Sequence, residues 1–343
     1  IGQGPYLDAH FPLFDDMDTV WPSSHRSGLG ASGGGIVMIE GTAWLLVLAL
    51  LLDAALGEPR WLWSKLPHPA VLMGRAVQYF DEALNKPETA LFGGIVTVFG
   101  LGFGAILFGL VIASLPLGGL WSVMIAAILI AQKSLVQHVQ AVADGLRYGV
   151  GEGRRAVGMI VGRDTGDMTQ ADVARAAIES AAENFSDGVI APAFWFLIAG
   201  LPGIVFYKVI NTADSMIGHR TPRYEKFGWA AARLDDVLNW IPARLTAVLI
   251  SVSYRSVHAW NVVRKDASKH RSPNAGWPEA AMAGVLDIAL SGPRSYHGQI
   301  QDFPFVNATG KPDPDLADIE AAIAVLWRVW AVALGGVLLL SLF

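Results

Sequence analysis

The chain has 343 residues, of which 53% are hydrophobic and only 16% charged. A soluble domain carries about a quarter charged residues, so this balance points to lipid as the environment. A formal charge of −5 excludes nucleic acid as a bulk electrostatic partner, and the lack of cysteine excludes disulfides, thiolate metal centres and a cysteine nucleophile.

Residues 1–37 hold Asp8, Asp15, Asp16, Asp18, scattered prolines and a Gly/Ser run without apolar period. They are expected to be a disordered leader, outside the single membrane-embedded domain of residues 38–343. Met38, just ahead of the first apolar segment, is the expected translation start, which N-terminal sequencing would check. Gly28-Leu29-Gly30-Ala31-Ser32-Gly33 matches a dinucleotide fingerprint in form, but lacks the strand and helix that give that motif its meaning.

The apolar pattern predicts an all-α, polytopic helical membrane protein with about four full spans, near 42–56, 91–115, 117–136 and 321–343. Residues 91–115 carry no charge and many glycines suited to close helix packing, and the turn Pro116-Leu117-Gly118-Gly119 sends the chain back. Segment 57–90 holds Arg60, Lys65, Arg75 and Lys86; segment 132–188 holds Lys133, Arg147, Arg154, Arg155, Arg163 and Arg175. The positive-inside rule therefore assigns both to the cytoplasm and both termini to the outside. Two apolar stretches, 189–210 and 241–257, are ambiguous. Pro192 and Gly200-Leu201-Pro202-Gly203 divide the first into pieces of about ten residues, each half a bilayer long. Full crossings would export the Arg-rich loop 211–244, so re-entrant or half-inserted helices are the favoured reading.

Three charged segments follow. In 163–188, Thr169 and Asp172 form a helix N-cap signature, Gly188 is the expected stop, and Arg175, Glu179 and Glu183 share one face. Taken alone, that stripe fits a solvated amphipathic face with intrahelical salt bridges. In 211–244, an interfacial helix accounts for Trp229, Trp240 and Arg244. It does not account for adjacent Asp235 and Asp236, whose repulsion at a membrane surface calls for a cation, either arginine or Mg²⁺. In 264–284, Lys269, His270 and Arg271 precede a helix start with Asn274 or Gly276 as its cap and Pro278 in its first turn, a setting for phosphate or carboxylate. Carboxylates for Mg²⁺, cations for phosphates and a base for an amine suit nucleotide chemistry, and without a P-loop motif any ATP site is of another kind.

These residues, Gly162-Arg163-Asp164-Thr165, Ala177-Ile178-Glu179-Ser180-Ala181-Ala182-Glu183-Asn184-Phe185-Ser186-Asp187-Gly188, the runs 211–218 (from Asn211 to Gly218), 227–236 (from Phe227 to Asp236) and 239–245 (from Asn239 to Leu245), and Ser272-Pro273-Asn274-Ala275-Gly276-Trp277-Pro278-Glu279, resemble the CobD/CbiB family of cobalamin biosynthesis. Leu52-Asp53 through Pro59 and Pro67-His68-Pro69 resemble its N-terminal pattern. The resemblance implies adenosylcobinamide-phosphate synthase, which uses ATP to join adenosylcobyric acid to (R)-1-amino-2-propanol or its O-phosphate. Under it, Glu179, Glu183, Asp187, Asp214, Asp235 and Asp236 are the expected catalytic residues, with Glu183, Asp187 and Asp236 as Mg²⁺ ligands. Arg163, Asn184, Asn211, Arg220, Arg233, Lys269, Ser272 and Asn274 are the expected substrate and phosphate binders. Expected partners are the corrinoid, the amino alcohol, the lipid bilayer and other membrane enzymes of cobalamin assembly. Two other readings stay open: a membrane sensor or regulator of the related AmpE type, and a small-solute transporter motivated by Asp53 and Arg328.

Overall fold

The computed structural model describes residues 33–58, 63–296 and 298–342. The leader expected to be disordered therefore lies outside the described residues up to position 32, and residues 33–37 open the first helix instead.

Helix α1 spans Gly33–Leu56, α2 Pro69–Leu84 and α3 Ala90–Ser114, the last apolar on all sides. Phe92, Phe99 and Phe103 on α3 are 69–74% exposed, which is tolerable only against lipid. The 115–117 turn leads to α4, Gly118–Leu129. The span expected at 117–136 breaks at Ile130 and Ala131, and α5, Gln132–Tyr148, starts anew with a polar composition. Asp53 causes the restart: its Oδ2 accepts the Gln132 N–H at 3.0 Å, capping α5 from the end of α1. Helix α6 is Val150–Val157.

Helix α7, Gln170–Phe185, begins at the anticipated Thr169–Asp172 capping box. It does not stop at Gly188. A π-helical turn, Ser186–Ile190, carries the chain into α8, Ala191–Ile217. By length and composition, four helical stretches among the described residues can cross a membrane: Ala90–Ser114, Gly118–Tyr148, Gln170–Ile217 and Leu316–Leu340. The third of these is not a straight span. The Tyr207 hydroxyl lies 3.0 Å from the Asp187 carbonyl oxygen, whereas a straight helix would hold those residues ~30 Å apart. The reversal occurs at Ala199 and Gly200, where Gly200 takes φ +61°, a backbone angle that side chains disfavour. Residues 189–210 thus form a helical hairpin whose two ends open on the same side.

Helix α3 flanks this hairpin. A Cβ at Gly109 would lie 2.5 Å from the Pro202 Cα, and one at Gly94 only 1.9 Å from the Phe227 carbonyl oxygen. The hairpin tip therefore sits ~22 Å along α3 from the level of Phe227. Helices α9, Trp229–Leu238, and α10, Trp240–Ser253, follow, with Trp229 and Trp240 half-exposed as an interfacial position requires. Beyond them come α11, Val257–Asp266, and α12, Gly276–Leu286. Four short strands, β1 Leu290–Ser291, β2 Arg294–Tyr296, β3 Gln299–Gln301 and β4 Phe305–Val306, pair antiparallel as β1–β4 and β2–β3. The last helix, α13, Leu316–Leu340, starts earlier than the span expected at 321–343, at a capping box of Asp315 and Asp318. One core joins the pieces, with Phe185, Phe196, Tyr207, Ile210, Phe227 and Ile250 fully buried between hairpin, α7 and α10.

Candidate active site

The polar residues collect at the open end of the hairpin. The end of α7 contributes Glu179 and Glu183, the π-turn Asp187, and the return arm of α8 contributes Tyr207, Lys208, Asn211 and Asp214. Helix α9 and its end add Asp235, Asp236 and Asn239. Asp187 lies within electrostatic reach of Asp235, Glu183 and Asp214, with Lys208 opposing them. Residues far apart along the chain thus form one carboxylate centre. The wider π-turn, a frequent feature of functional sites, is what places Asp187 there.

Asp235 is the best-defined member. It is 8% exposed; Asn211 Nδ2 donates to its Oδ1 at 3.2 Å and Asn239 Nδ2 to its Oδ2 at 3.0 Å. Asn239 Oδ1 in turn accepts from Tyr207, 2.9 Å away. Burial, followed by the charge of Asp214, pushes the Asp235 carboxyl up to about 7, with the two asparagines pulling the other way. Burial also raises Asp236, against the pull of Arg233 and Arg220; Arg233 is 3.5 Å from it.

A second cluster stands beside the first. Glu179 is buried and pairs with Arg163, with Arg294 at 3.4 Å, and with the Ser291 N–H at 2.6 Å. The expected intrahelical pairing with Arg175 does not form, because Arg175 turns to Asp172 and to the carbonyls of Ala289 and Pro312. Glu279, on α12, is 4% exposed and its Oε1 has no hydrogen-bond partner; His270 Nε2 is 3.5 Å from its other oxygen. Burial, then the charge of Glu179, holds Glu279 well above the usual carboxylate range. Burial, then the charge of Arg294, lowers His270 below the usual imidazole range.

The remaining expected binders are placed differently. Lys269 pairs at 2.6 Å with Asp266, itself bound to the Asn307 N–H. Neither Asn274 nor Gly276 caps α12: the N-cap is Ala275, and Ser272 Oγ accepts the N–H groups of Asn274 and Ala275 at 3.2 Å each. Asn274 instead knits α9 to α10, donating to the Asp236 carbonyl at 2.8 Å and accepting from Arg244 at 3.1 Å. Arg244 lies between the rings of Trp240 and Trp277, 4.4 and 4.5 Å from their centroids. Asn184 is exposed and bonds back to Ser180 within its own helix. Sequence reasoning missed Lys208, Tyr207, Asn239, Glu279 and Arg294; a Glu followed by the apolar run of α12 was the visible signal for Glu279.

Among the described residues no three carboxylate or imidazole groups close on one point as a preformed metal cage. The donors at the centre are nonetheless all oxygen, the type that Mg²⁺ takes, and their mutual repulsion favours a cation. Asp53 and Arg328, the charges that motivated a solute path, serve packing: Asp53 caps α5 and Arg328 lies over the Tyr254 ring at 4.3 Å.

Similarity to known proteins agrees with this picture. A family model described as CobD/Cbib protein matches residues 46–326. The chain is 51% identical over 305 residues to the cobalamin biosynthesis protein CobD of Rhizobium meliloti (strain 1021), covering 84% of this chain and 93% of that one. It is 48% identical over 315 residues to the protein of that name from Brucella suis biovar 1 (strain 1330), covering 87% and 96%. With the Rhodobacter capsulatus protein it shares 46% over 298 residues, covering 84% and 94%. No solved structure matches the chain. The matched region contains every site residue described above, and the chain belongs to the CobD/CbiB family of cobalamin biosynthesis proteins.

Proposed function

We propose that the chain is an adenosylcobinamide(-phosphate) synthase. It joins a propionate carboxyl of adenosylcobyric acid to (R)-1-amino-2-propanol, or to its O-phosphate, as an amide at the expense of ATP. The observation that carries this reading is the centre of Glu183, Asp187, Asp214 and Asp235, mutually repelling carboxylates at the polar end of the hairpin. Four carboxylates, with Lys208, Arg271 and the Glu179-paired Arg294 as the cations acting on them, carry surplus negative charge, which fits a site that receives positive ligands.

Amide formation needs a leaving group on the carboxylate and a neutral amine to attack it. ATP with Mg²⁺ supplies that leaving group as phosphate. Glu183, Asp187 and Asp236 are the oxygen donors that would hold Mg²⁺. Asp214 and Asp235 receive the ammonium, and Asp235, poised near 7, takes its proton. Asn211 and Asn239 fix the two oxygens of Asp235 in place for this. Arg220 and Arg233 face Asp236 and stand ready for phosphate. Arg163 acts through Glu179, which it positions. Burial of Asp235 keeps bulk water from the activated carboxyl, where hydrolysis would compete. Lysine and arginine enrichment at this end supports a cytoplasmic position for it at the inner membrane.

Membranes containing the chain are expected to convert adenosylcobyric acid only when ATP and the amino alcohol or its phosphate are both present. Glu183→Ala and Asp236→Ala should abolish the conversion. Full turnover by both variants would overturn the assignment.

A further inference from the structure

The two charged clusters meet at Glu183, and the group that acts on it most strongly is Arg271, which the scheme above leaves unused. Both residues are exposed, and no direct ion pair joins them among the described residues. A carboxylate and a guanidinium thus act on each other electrostatically while each stays open to solvent.

An exposed arginine ordinarily wanders, and fixing it costs side-chain entropy. Arg271 is held. Its Nη2 donates to the Tyr296 hydroxyl at 3.2 Å, and its guanidinium lies 5.2 Å from the Tyr296 centroid and 5.8 Å from that of Phe303. Arg294 approaches Phe303 as well, at 5.1 Å, so one ring seats two like charges. Arg294 is answered by Glu179, whereas among the described residues no carboxylate forms an ion pair with Arg271. Lys269, the cation that the sequence offered for phosphate, is committed to Asp266. A planar guanidinium, pre-oriented and outside any direct ion pair among the described residues, matches a phosphate by paired hydrogen bonds.

We propose that Arg271, seated on Tyr296 and Phe303, is the cation that holds a phosphate group of a substrate opposite Glu183. The site is bipolar: carboxylates on the hairpin side, and guanidiniums on the side of β2 and β3. Only the identity of the phosphate compound rests on the ligase reading.

The purified full-length chain in detergent is titrated with ATP and, separately, with aminopropanol O-phosphate, following the fluorescence of its 12 tryptophans. Arg271→Gln should weaken one of the two by about ten- to a hundredfold and leave the other unchanged, identifying the compound held. Arg271→Lys should recover part of the loss, and Phe303→Leu, which removes one ring of the seat that Arg271 shares with Arg294, should weaken the same compound less. Binding of both by Arg271→Gln at wild-type strength, equal weakening of both, or binding of neither by the wild type would overturn the proposal. A wild-type chain that binds one phosphate compound through Arg271 yet forms no amide would overturn the ligase reading instead.

Discussion

Asp235→Asn separates the energetic role of the buried carboxylate from its chemical one. Its carboxyl stands at about 7 against an ordinary 3.8, so ionising it at pH 8 costs the fold about 4 kcal/mol. The native chain keeps this proton where the unfolded chain has lost it. Its contribution to stability therefore falls as pH rises from 3.8 to about 7 and is level above that. Asparagine removes the cost, but its NH₂ must face a donor from Asn211 or Asn239, and one lost buried hydrogen bond costs about 1–3 kcal/mol. The variant should thus be more stable than wild type by about 1–3 kcal/mol at pH 8, the gain shrinking by roughly 3 kcal/mol at pH 5. Unfolding of the full-length protein followed by tryptophan fluorescence at the two pH values reads this difference. Ligase turnover should fall by about a hundredfold or more at both, as for loss of a general base. A variant destabilised equally at pH 5 and pH 8 would refute the reasoning, since it would show that burial does not strain Asp235.

Arg163→Ala should destabilise the protein by about 3–5 kcal/mol, because it leaves Glu179 buried beside Arg294 and the Ser291 N–H alone; Arg163→Lys should restore only part in the same unfolding assay. Gly94→Val should prevent α3 from docking on the Phe227 carbonyl and sharply reduce folded yield on size exclusion, whereas Gly104→Ala, with open space around it, should be silent. The chain has no cysteine, so Glu152→Cys and Lys226→Cys can be probed singly with a membrane-impermeant thiol reagent. Both should react from the same side of the membrane. Reaction of Lys226→Cys from the opposite side would mean that the hairpin crosses.

Much of the helical framework was legible because its signals are local. The uncharged run of α3, the Thr169–Asp172 capping box and the Pro/Gly break at the hairpin tip each act within a few residues. Gly188 misled because a glycine ends a helix only when the chain leaves it, and here the π-turn absorbs it. The stripe of Arg175, Glu179 and Glu183 was correctly placed on one face, but its partners come from residues 163, 291 and 294, which helical spacing cannot reveal. Lys269 and Arg271 are two residues apart and equivalent in sequence; only Asp266 and the Tyr296 and Phe303 rings separate their roles. The short strands that bring Arg294 and Tyr296 to the site are too brief to show a period of two.

The hairpin carries Asp187 at one end and Asp214 near the other, while its tip leans on α3 deep among apolar side chains. It is therefore a lever with its fulcrum in the lipid. A thicker or thinner bilayer that changes its tilt would alter the spacing of the two carboxylates at the far ends. Turnover in vesicles of graded acyl-chain length should then peak at one thickness, making membrane composition a determinant of rate.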